Sequence, residues 1–306
     1  MNRLYHSVGT SRQSLHQWLD RQLQEAEEQA LLRPIVEELR VDHPRMSARQ
    51  MYRLVQPETM GRDKFIAICA EWGMLLERKP SLIRTTNSLG VTRFENLLDG
   101  LEVVCPNQVW SSDITYYRLA EGVCYLTFIM DVFSRRILGS SVSKTLRTVD
   151  TTIPALRQAL KLRRGMSLEG LIFHSDGGGQ YYCKEFRKLT DAAGMLNSMC
   201  EEAWENPYSE RVNGTIKNDY LIPWGVDTYP QLKVQVPRAI RLYDTVRLHS
   251  SLGHMTPKAF EDKCFSTMIN NDQQVLSLPR TPSLKTQQQH QQINELDPLQ
   301  KPVNVI

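Results

Sequence analysis

Residues 108–117 have the sequence QVWSSDITYY, which is rich in the β-branched and aromatic residues typical of a strand. Gly122 predicts a turn into a second strand at 123–131, and residues 135–142 predict a third. Further along the chain, the short apolar run at 171–173 has the composition of a buried strand. Three consecutive strands followed by alternating helices and strands predict an α/β domain with a mixed sheet.

The remaining predicted elements of this domain follow the third strand. Helices are predicted at 148–162, 184–193, 206–220 and 232–246, and a further strand at 196–200. The helix at 206–220 has two different faces. A polar ridge with the spacing i, i+4, i+7 and i+11 consists of Asn206, Glu210, Asn213 and Lys217. The other ridge can face the sheet, and it consists of Tyr208, Val212, Ile216 and Tyr220.

Three carboxylates occupy positions from which they could converge. Asp113 lies midway along the first strand, and Asp176 follows the strand ending at Ser175 and precedes a Gly-rich loop. Glu210 lies on the polar ridge of the helix. Each acid alone is better explained as a solvated or capping carboxylate. Together, clustered oxygens without sulfur or imidazole partners suit Mg²⁺ or Mn²⁺, and such a cluster can hold two ions for phosphoryl transfer.

The N-terminal residues 1–80 predict a small helical region. Pro44 ends one helix, and Ser47 is a good N-cap for a second. Gly61 marks a turn, Asp63 can cap a third helix, and Gly73 ends it. Two short helices around a Gly-containing turn suit a helix-turn-helix, although a plain helical bundle explains the pattern equally well.

Basic residues cluster around this proposed turn. They are Arg45, Arg49, Arg53, Arg62 and Lys64. We predict that they bind DNA, with an affinity that falls as the salt concentration rises. The domain prediction is therefore a helical DNA-binding region at 1–80, a linker at 81–105 and the α/β domain at 106–264. Residues 265–306 are predicted to be a disordered tail, because they are Gln-rich and poor in core-forming residues.

Composition narrows the classes of protein without choosing among them. The 306 residues are 41% hydrophobic, with a net charge of +3, so charge leaves nucleic-acid binding open. No apolar run is long enough to span a bilayer, and the first residues lack the apolar core of a secretory signal. The six cysteines are scattered without a CxxC pair, which disfavours zinc and favours reduced thiols. We expect a soluble cytoplasmic protein without a membrane partner.

Four ordered blocks resemble the integrase-type DDE transposases, specifically the second-reading-frame product of the insertion-sequence three family. Three blocks surround the carboxylates: WSSDITY at 110–116, HSDGGGQY at 174–181 and NPYSER at 206–211, which runs on to Lys217. The fourth, a terminal Y…RxHxxL…TP signature, consists of Tyr243, Arg247, His249, Leu252, Thr256 and Pro257. The resemblance extends over residues 30–262. It departs from the family in the interval of 33 residues between Asp176 and Glu210, which is slightly short, and in Asp244 and Leu248, where Asn and Pro are common.

The resemblance implies a ribonuclease H-like core with Asp113, Asp176 and Glu210 as catalytic metal ligands for two Mg²⁺ ions. It implies binding to terminal inverted repeats, cleavage that frees a 3′-hydroxyl and strand transfer into target DNA, with Lys217 near a DNA phosphate. It further implies a homo-oligomer on DNA, a separate or fused first-reading-frame partner, and a place at the bacterial nucleoid. Two alternatives stay open: a non-enzymatic DNA-binding protein derived from a transposase, and a ribonuclease H-like nuclease without strand transfer.

Overall fold

The strand predicted at 108–117 lies at the centre of a five-stranded sheet. The computed structural model describes residues 9, 11–77, 94–200 and 206–277, and the chain divides into two compact units, Met1–Cys264 and Phe265–Ile306. The strands are β1 (Val109–Leu119), β2 (Gly122–Asp131), β3 (Ile137–Ser143), β4 (Ile172–Ser175) and β5 (Leu196–Met199). Their order across the sheet is β3-β2-β1-β4-β5. The first three strands are antiparallel, whereas β4 is parallel to β1 and β5 to β4. This mixed sheet, flanked by helices, confirms the ribonuclease H-like fold class.

Helices cover both faces of the sheet and occur close to where the sequence predicts them. The helices are α1 (Arg12–Asp42), α2 (Ala48–Val55), α3 (Arg62–Glu71), α4 (Thr152–Leu162), α5 (Gly179–Tyr182), α6 (Lys184–Ala192), α7 (Pro207–Thr215), α8 (Tyr229–Thr245) and α9 (Pro257–Ser277). Helix α7 continues as a π-helical segment over Ile216–Leu221. Helix α4 begins later than predicted, because residues 148–151 form hydrogen-bonded turns.

Alternation along β1 assigns its side chains to the two faces of the sheet. Trp110 is fully buried on the face covered by α4 and α6, where it packs in one core cluster with Leu156 and Phe186. Tyr117 lies on the other face, in the cluster that contains Val212 of α7. The odd-numbered residues of β1 therefore face α7, and this placement decides which polar side chains meet.

Helix α4 packs unusually close to β3. A Cβ atom at Gly139 would overlap the carbonyl oxygen of Ala155 in α4. Ala155 and Ala159 are fully buried, so small side chains on the helix allow the same close approach. Any larger residue at position 139 would push α4 away from the sheet, since the obstacle is backbone.

The N-terminal region is all-α, as predicted. Helices α1–α3 share a small core that contains Val36, Met51 and Phe65. The predicted cap at Ser47 is confirmed, because its side chain accepts the N–H of Gln50 in a capping box. The predicted cap at Asp63 is wrong. Gly61 is the N-cap of α3, and Asp63 lies in the first turn, where its carboxylate pairs with Arg62.

The N-terminal helices contact the core of the same unit. His43 Nδ1 lies 3.1 Å from the hydroxyl of Tyr220 in the π-helical segment. Trp224 Nε1 donates to the carbonyl of Val41 at 3.0 Å, and Gln50 Nε2 donates to the carbonyl of Leu248 at 3.2 Å. These contacts bring the end of α1 against the segment that follows α7, and α2 against the segment that follows α8. The domain boundaries at residues 80, 105 and 264 remain predictions.

The C-terminal helix α9 begins with the Thr-Pro pair of the terminal signature. Thr256 Oγ1 accepts the N–H of Ala259, which is the hydrogen bond of a helix N-cap. Fully buried Glu261 pairs with Arg136 and with nearly buried Arg163. The helix extends to Ser277, whereas the disordered tail was predicted from residue 265; residues 265–277 contain no proline or glycine that would interrupt the helix. The rest of the predicted tail, 278–306, lies outside the described residues.

Among the helices of the described residues, none is both long and apolar enough to cross a bilayer.

Candidate active site

Sheet register brings Asp113 and Asp176 side by side. Strands β1 and β4 run parallel, and Ser111 pairs with His174. Asp113 lies two residues beyond Ser111, and Asp176 directly follows β4; the two acids are close enough for Asp176 to raise the pKa of Asp113. Strand β4 ends at Ser175, so Asp176 stands at the carboxyl end of that strand, as the sequence predicts.

The electrostatics of Asp113 show that it faces the other two acids. Burial raises the pKa of Asp113 from 3.8 to about 7, with a further increase from Asp176 and a smaller one from Glu210. The N–H of Ile114 and the ammonium group of Lys217 act in the opposite direction. Like charges in a desolvated site favour a bound proton or a bound cation. A nearby positive charge, either a proton or a cation, therefore stabilises Asp113.

Asp176 is held by the glycine loop that follows it. The N–H of Gly178 donates to Asp176 Oδ1 at 3.2 Å. Burial raises the pKa of Asp176, and this hydrogen bond opposes the increase. A Cβ atom at Gly178 would lie 3.0 Å from Asp176 Oδ1 and 3.1 Å from Gln180 Oε1. The glycine therefore leaves room for the carboxylate as well as making the turn.

The polar ridge of α7 packs against β1 and is mostly turned away from solvent. Asn206 accepts from the Ser111 hydroxyl at 2.6 Å and donates to the carbonyl of Ser112 at 3.0 Å. Ser209, which the sequence analysis did not single out, also contacts the Ser111 hydroxyl. These buried hydrogen bonds fix the distance between the helix and the strand that carries Asp113.

Asn213 is a functional candidate that the sequence analysis placed only on the polar ridge. Its Nδ2 donates to Asp113 Oδ2 at 2.6 Å, and its side chain is buried. Its Oδ1 atom is buried without a hydrogen-bond partner among the described residues. A buried amide oxygen beside two carboxylates adds a further acceptor to the site. The sequence signal for Asn213 was its i+7 spacing from Asn206 on the polar ridge. Spacing alone does not say which strand residue the Asn213 side chain contacts.

Lys217 also lies along β1. Its Nζ donates to Thr115 Oγ1 at 2.6 Å and lies 5.4 Å from the centre of the Tyr116 ring. Its charge lowers the pKa of Asp113, so the ammonium group acts on this carboxylate through space. Lys217 belongs to the π-helical segment, and such segments occur often at functional sites.

Glu210 differs from the two aspartates because its side chain is exposed. Helix α7 turns Ser209 and Asn213 toward β1, and this orientation leaves Glu210 at the margin of the site. Within residues 11–77, 94–200 and 206–277, no three His, Cys, Asp or Glu side chains are grouped closely enough to hold one metal ion. The structure thus places Asp113 beside Asp176, while the charge of Glu210 acts on Asp113 only through space. Residues 201–205, which contain the other acidic candidates Glu201, Glu202 and Glu205, lie outside the described residues.

The paired aspartates fit a hard divalent cation in their chemistry. Both present carboxylate oxygens, which Mg²⁺ and Mn²⁺ prefer, and burial raises the pKa of each. Asn213 could orient Asp113, and Glu210 could complete the ligand set only if it moved inward. Asp113 and Asp176 therefore form a ligand pair that fits the cation, and Glu210 lies at the margin of the site.

The predicted DNA-binding residues of the N-terminal region do not form one uniform patch. Arg53 Nη1 lies 3.1 Å from His254 Nδ1, so Arg53 faces the C-terminal signature. Arg62 pairs with Asp63 at 2.8 Å, and Lys64 pairs with Glu25 at 2.6 Å. Arg49 is exposed and Arg45 is half-buried. Their binding to DNA stays a prediction.

The terminal signature has a structural role in the described part of the chain. The rings of Tyr243 and His249 meet edge to face at 4.9 Å, and Arg247 pairs with Asp219 at 2.9 Å. Asp244, which replaces the usual Asn, accepts the N–H of Ile137 at 3.1 Å, and burial raises its pKa to about 8. An oxygen of either residue type can accept this hydrogen bond, so the departure from the family pattern keeps the contact.

Comparisons with known proteins agree with these blocks. Two family models, each described as integrase core domain, match residues 104–203 and 195–257. The insertion element IS600 31 kDa protein of Shigella sonnei is 29% identical over 83% of this chain and 96% of its own length. The transposase for IS629 from Shigella sonnei is 32% identical over 55% of each chain. Transposase InsF for IS3A of Escherichia coli K12 is 30% identical over 57% of this chain and 61% of its own.

Proposed function

The chain belongs to the DDE transposases of insertion sequences that carry an integrase core, and we propose that it cleaves the ends of its own element and joins them to target DNA. In this proposal Asp113, Asp176 and Glu210 form the catalytic centre. The observation that carries it is the proximity of Asp113 and Asp176, which the parallel pairing of β1 with β4 brings together and whose raised pKa values mark one desolvated site.

We infer that a divalent cation, Mg²⁺ or Mn²⁺, is held by the two aspartates with Glu210 as the third ligand, and that two ions are bound per site. Bound there, the cations would activate the attacking oxygen and stabilise the leaving oxygen of a phosphodiester. Within the protein, Asn213 holds the Asp113 carboxylate through its amide N–H, and Gly178 holds the Asp176 carboxylate through its backbone N–H. Both hydrogen bonds fix the carboxylates before DNA arrives, which lowers the reorganisation needed for reaction.

The proposed DNA partners are the terminal inverted repeats and the target duplex. Lys217 lies beside the aspartates and supplies a positive charge for the DNA backbone. The N-terminal region is proposed to bind the element ends through Arg45, Arg49, Arg53, Arg62 and Lys64. Joining two ends to one target requires at least two active sites, so we propose a homo-oligomer on DNA. A first-reading-frame partner, separate or fused, would add end recognition, and the place of action would be the nucleoid.

The test is incubation of the full chain with Mg²⁺ and labelled DNA carrying the element ends, followed by detection of nicks and joined products. Parent protein should give both products, and Asp113→Asn should give neither. Asp191→Asn, at an exposed carboxylate of α6, is the matched control and should retain both. Binding without nicks would identify a non-enzymatic DNA-binding protein. Nicks without joined products would identify a nuclease without strand transfer.

A further inference from the structure

A polar cleft lies at the edge of the sheet formed by β3. Its volume is about 540 Å³, and it runs between the segment that follows β3, the start of α4 and the first turns of α8. Hydroxyl-bearing residues line its β3 side: Ser140, Ser141, Ser143 and Thr145. Because β3 and β4 lie on opposite sides of β1 and β3 is the edge strand, the cleft is separate from the paired aspartates.

Two lysines converge on one aromatic ring at this cleft. Lys144 Nζ lies 4.8 Å from the centre of the Tyr229 ring, and Lys233 Nζ lies 5.7 Å from the same centre. Both lysines are exposed, and neither makes an ion pair with a carboxylate in the described part of the chain. Two ammonium groups held against one ring without a carboxylate counter-ion create a local field that attracts an anion.

The acidic residue that lines the cleft does not cancel this field. Asp150 is already paired with Arg147 at 2.8 Å and accepts a hydrogen bond from Thr145 Oγ1 at 2.6 Å. The arginine therefore compensates the charge of Asp150. The two lysines remain as the uncompensated charges of the lining.

A second observation comes from the cleft wall. Ser141 is buried, and its Oγ has no hydrogen-bond partner among the described residues. An unsatisfied buried hydroxyl is costly, and native proteins usually provide it with a partner. Phosphate oxygens accept hydrogen bonds from hydroxyl and ammonium groups alike, so a phosphodiester backbone along the cleft offers acceptors for all three lining groups.

We propose that this cleft binds the phosphodiester backbone of DNA, as a contact separate from the catalytic centre. The proposal rests on the proposed function, because it extends the DNA surface of the transposase to the β3 edge. The Tyr229 hydroxyl donates to the carbonyl of Val142 at 3.3 Å, which anchors the ring that both lysines approach. The ring therefore positions the charges, and the lysines supply the attraction.

The test uses the full chain, labelled duplex DNA and the variant Lys144→Gln/Lys233→Gln, with affinity measured over a series of salt concentrations. Each lost phosphate contact reduces the slope of log K against log salt by about 1, so the double variant should reduce it by about 2. The control, Lys161→Gln/Arg164→Gln, removes two exposed charges from the end of α4 and its following turn, and it should leave the slope unchanged. An unchanged slope in the cleft variant overturns the proposal.

A second pair of variants tests the hydroxyl. Ser141→Ala should weaken DNA binding by up to about tenfold without lowering thermal stability, because it removes a group that lacks a protein partner. Thr127→Val is the matched control, since Thr127 pairs with Ser141 in the sheet and also has a buried hydroxyl without a partner, but does not line the cleft. Equal effects of the two variants on DNA binding contradict the assignment.

Two further measurements separate other ligands. If inorganic phosphate raises the melting temperature of the parent but not of the lysine variant, while the salt slope for DNA is unchanged, the cleft binds small phosphates and the DNA assignment is wrong. If the lysine variant changes only the sedimentation of the protein, the cleft is a protein contact and the assignment is again wrong. Asp113→Asn should keep the full salt slope, so a failure of the proposed catalytic function stays distinguishable from a failure at the cleft.

Discussion

The two aspartates and the glutamate of the candidate active site are positioned by different kinds of structure. Asp113 lies on β1 and Asp176 directly follows the neighbouring parallel strand β4, so backbone hydrogen bonds between these strands set their relative positions. Glu210 lies on a helix that contacts β1 through side chains, chiefly Asn206, Ser209 and Asn213. The aspartates are partly buried and close together, whereas Glu210 is exposed.

This difference indicates that the two aspartates are pre-organised by the sheet, whereas Glu210 on its helix is not. A ladder of backbone hydrogen bonds resists displacement, because each shift breaks several bonds at once. A helix held by side chains can shift or rotate slightly at lower cost, and the π-helical segment after α7 marks a local irregularity. We infer that the aspartates form the permanent half of the site and that Glu210 completes it when DNA and cations bind.

The largest expected loss of activity follows substitution of Asp113, on strand β1. Asp113→Asn should reduce nicking and joining by on the order of 10³-fold, because it removes a charge that both reactions use. The same variant should be more stable than the parent above pH 7 without metal, since the pKa of the carboxylate is about 7 in the folded protein. Quantified product formation and thermal unfolding measure the two effects, and near-normal cleavage would falsify the assignment of Asp113.

Glu210→Gln tests the helix-borne half. We expect nicking and joining to fall together by about 10²–10³-fold, while folding without Mg²⁺ and binding to DNA persist. The variant should gain less thermal stability from Mg²⁺ than the parent, because it binds the ion more weakly. Glu121→Gln, at an exposed glutamate of the β1–β2 turn, is the control and should behave like the parent. If Glu210→Gln keeps its cleavage activity, the third carboxylate must be sought at Glu201, Glu202 or Glu205.

Gly178→Ala tests whether Asp176 depends on its loop. An added methyl group would crowd Asp176 Oδ1 and Gln180 Oε1, so we expect a loss of about 10–100-fold in cleavage with little change in DNA affinity. Gly179→Ala is the adjacent control, because its Cβ atom would make only ordinary contact with Tyr182. Equal activity of the two variants would show that the carboxylate does not need the space that glycine leaves.

The pH dependence of Mg²⁺ binding should report the buried pair. Unfolded aspartate has a pKa near 3.8, and folded Asp113 has a pKa of about 7 in the metal-free protein. The carboxylate therefore destabilises the metal-free fold progressively from about pH 4 to pH 7, and fully above pH 7. Below pH 7 protons compete with Mg²⁺, so the Mg²⁺ concentration for half-maximal thermal stabilisation should rise about tenfold from pH 8 to pH 6. In Asp113→Asn, the Mg²⁺ concentration for half-maximal stabilisation should no longer change with pH. If it still changes, another titrating group causes the pH dependence.

The smallest expected effects lie in the N-terminal region. Arg49→Gln should reduce the salt slope of DNA binding by about 1, because Arg49 is exposed. Arg53→Gln should change the slope less, since Arg53 contacts His254. Anisotropy titrations of the full chain over several salt concentrations can measure both slopes. DNA binding that does not respond to salt would remove this region from the proposed DNA surface.

Local sequence patterns determined the elements and the chemistry of the site. Alternation and β-branched residues located β1–β3, and Ser47, Pro44 and Gly73 marked helix ends, because caps and breakers act within one helical turn. The order of the acidic blocks identified Asp113, Asp176 and Glu210 as the candidates. Asp63 was misassigned as a cap because Ser, Asp and Gly are all acceptable N-caps, and only the backbone of Gly61 shows which one is used.

Only the tertiary structure decided which of these groups meet. It turned Asn213 onto Asp113, left Glu210 exposed, and brought Lys144 and Lys233 from distant segments to one tyrosine ring. Helical spacing places Asn206, Glu210, Asn213 and Lys217 on one ridge, but the rotation of the helix about its own axis decides which of them face the strand. That rotation depends on packing against the sheet and on hydrogen bonds between residues about 100 positions apart in the chain, which periodicity within a single helix does not encode.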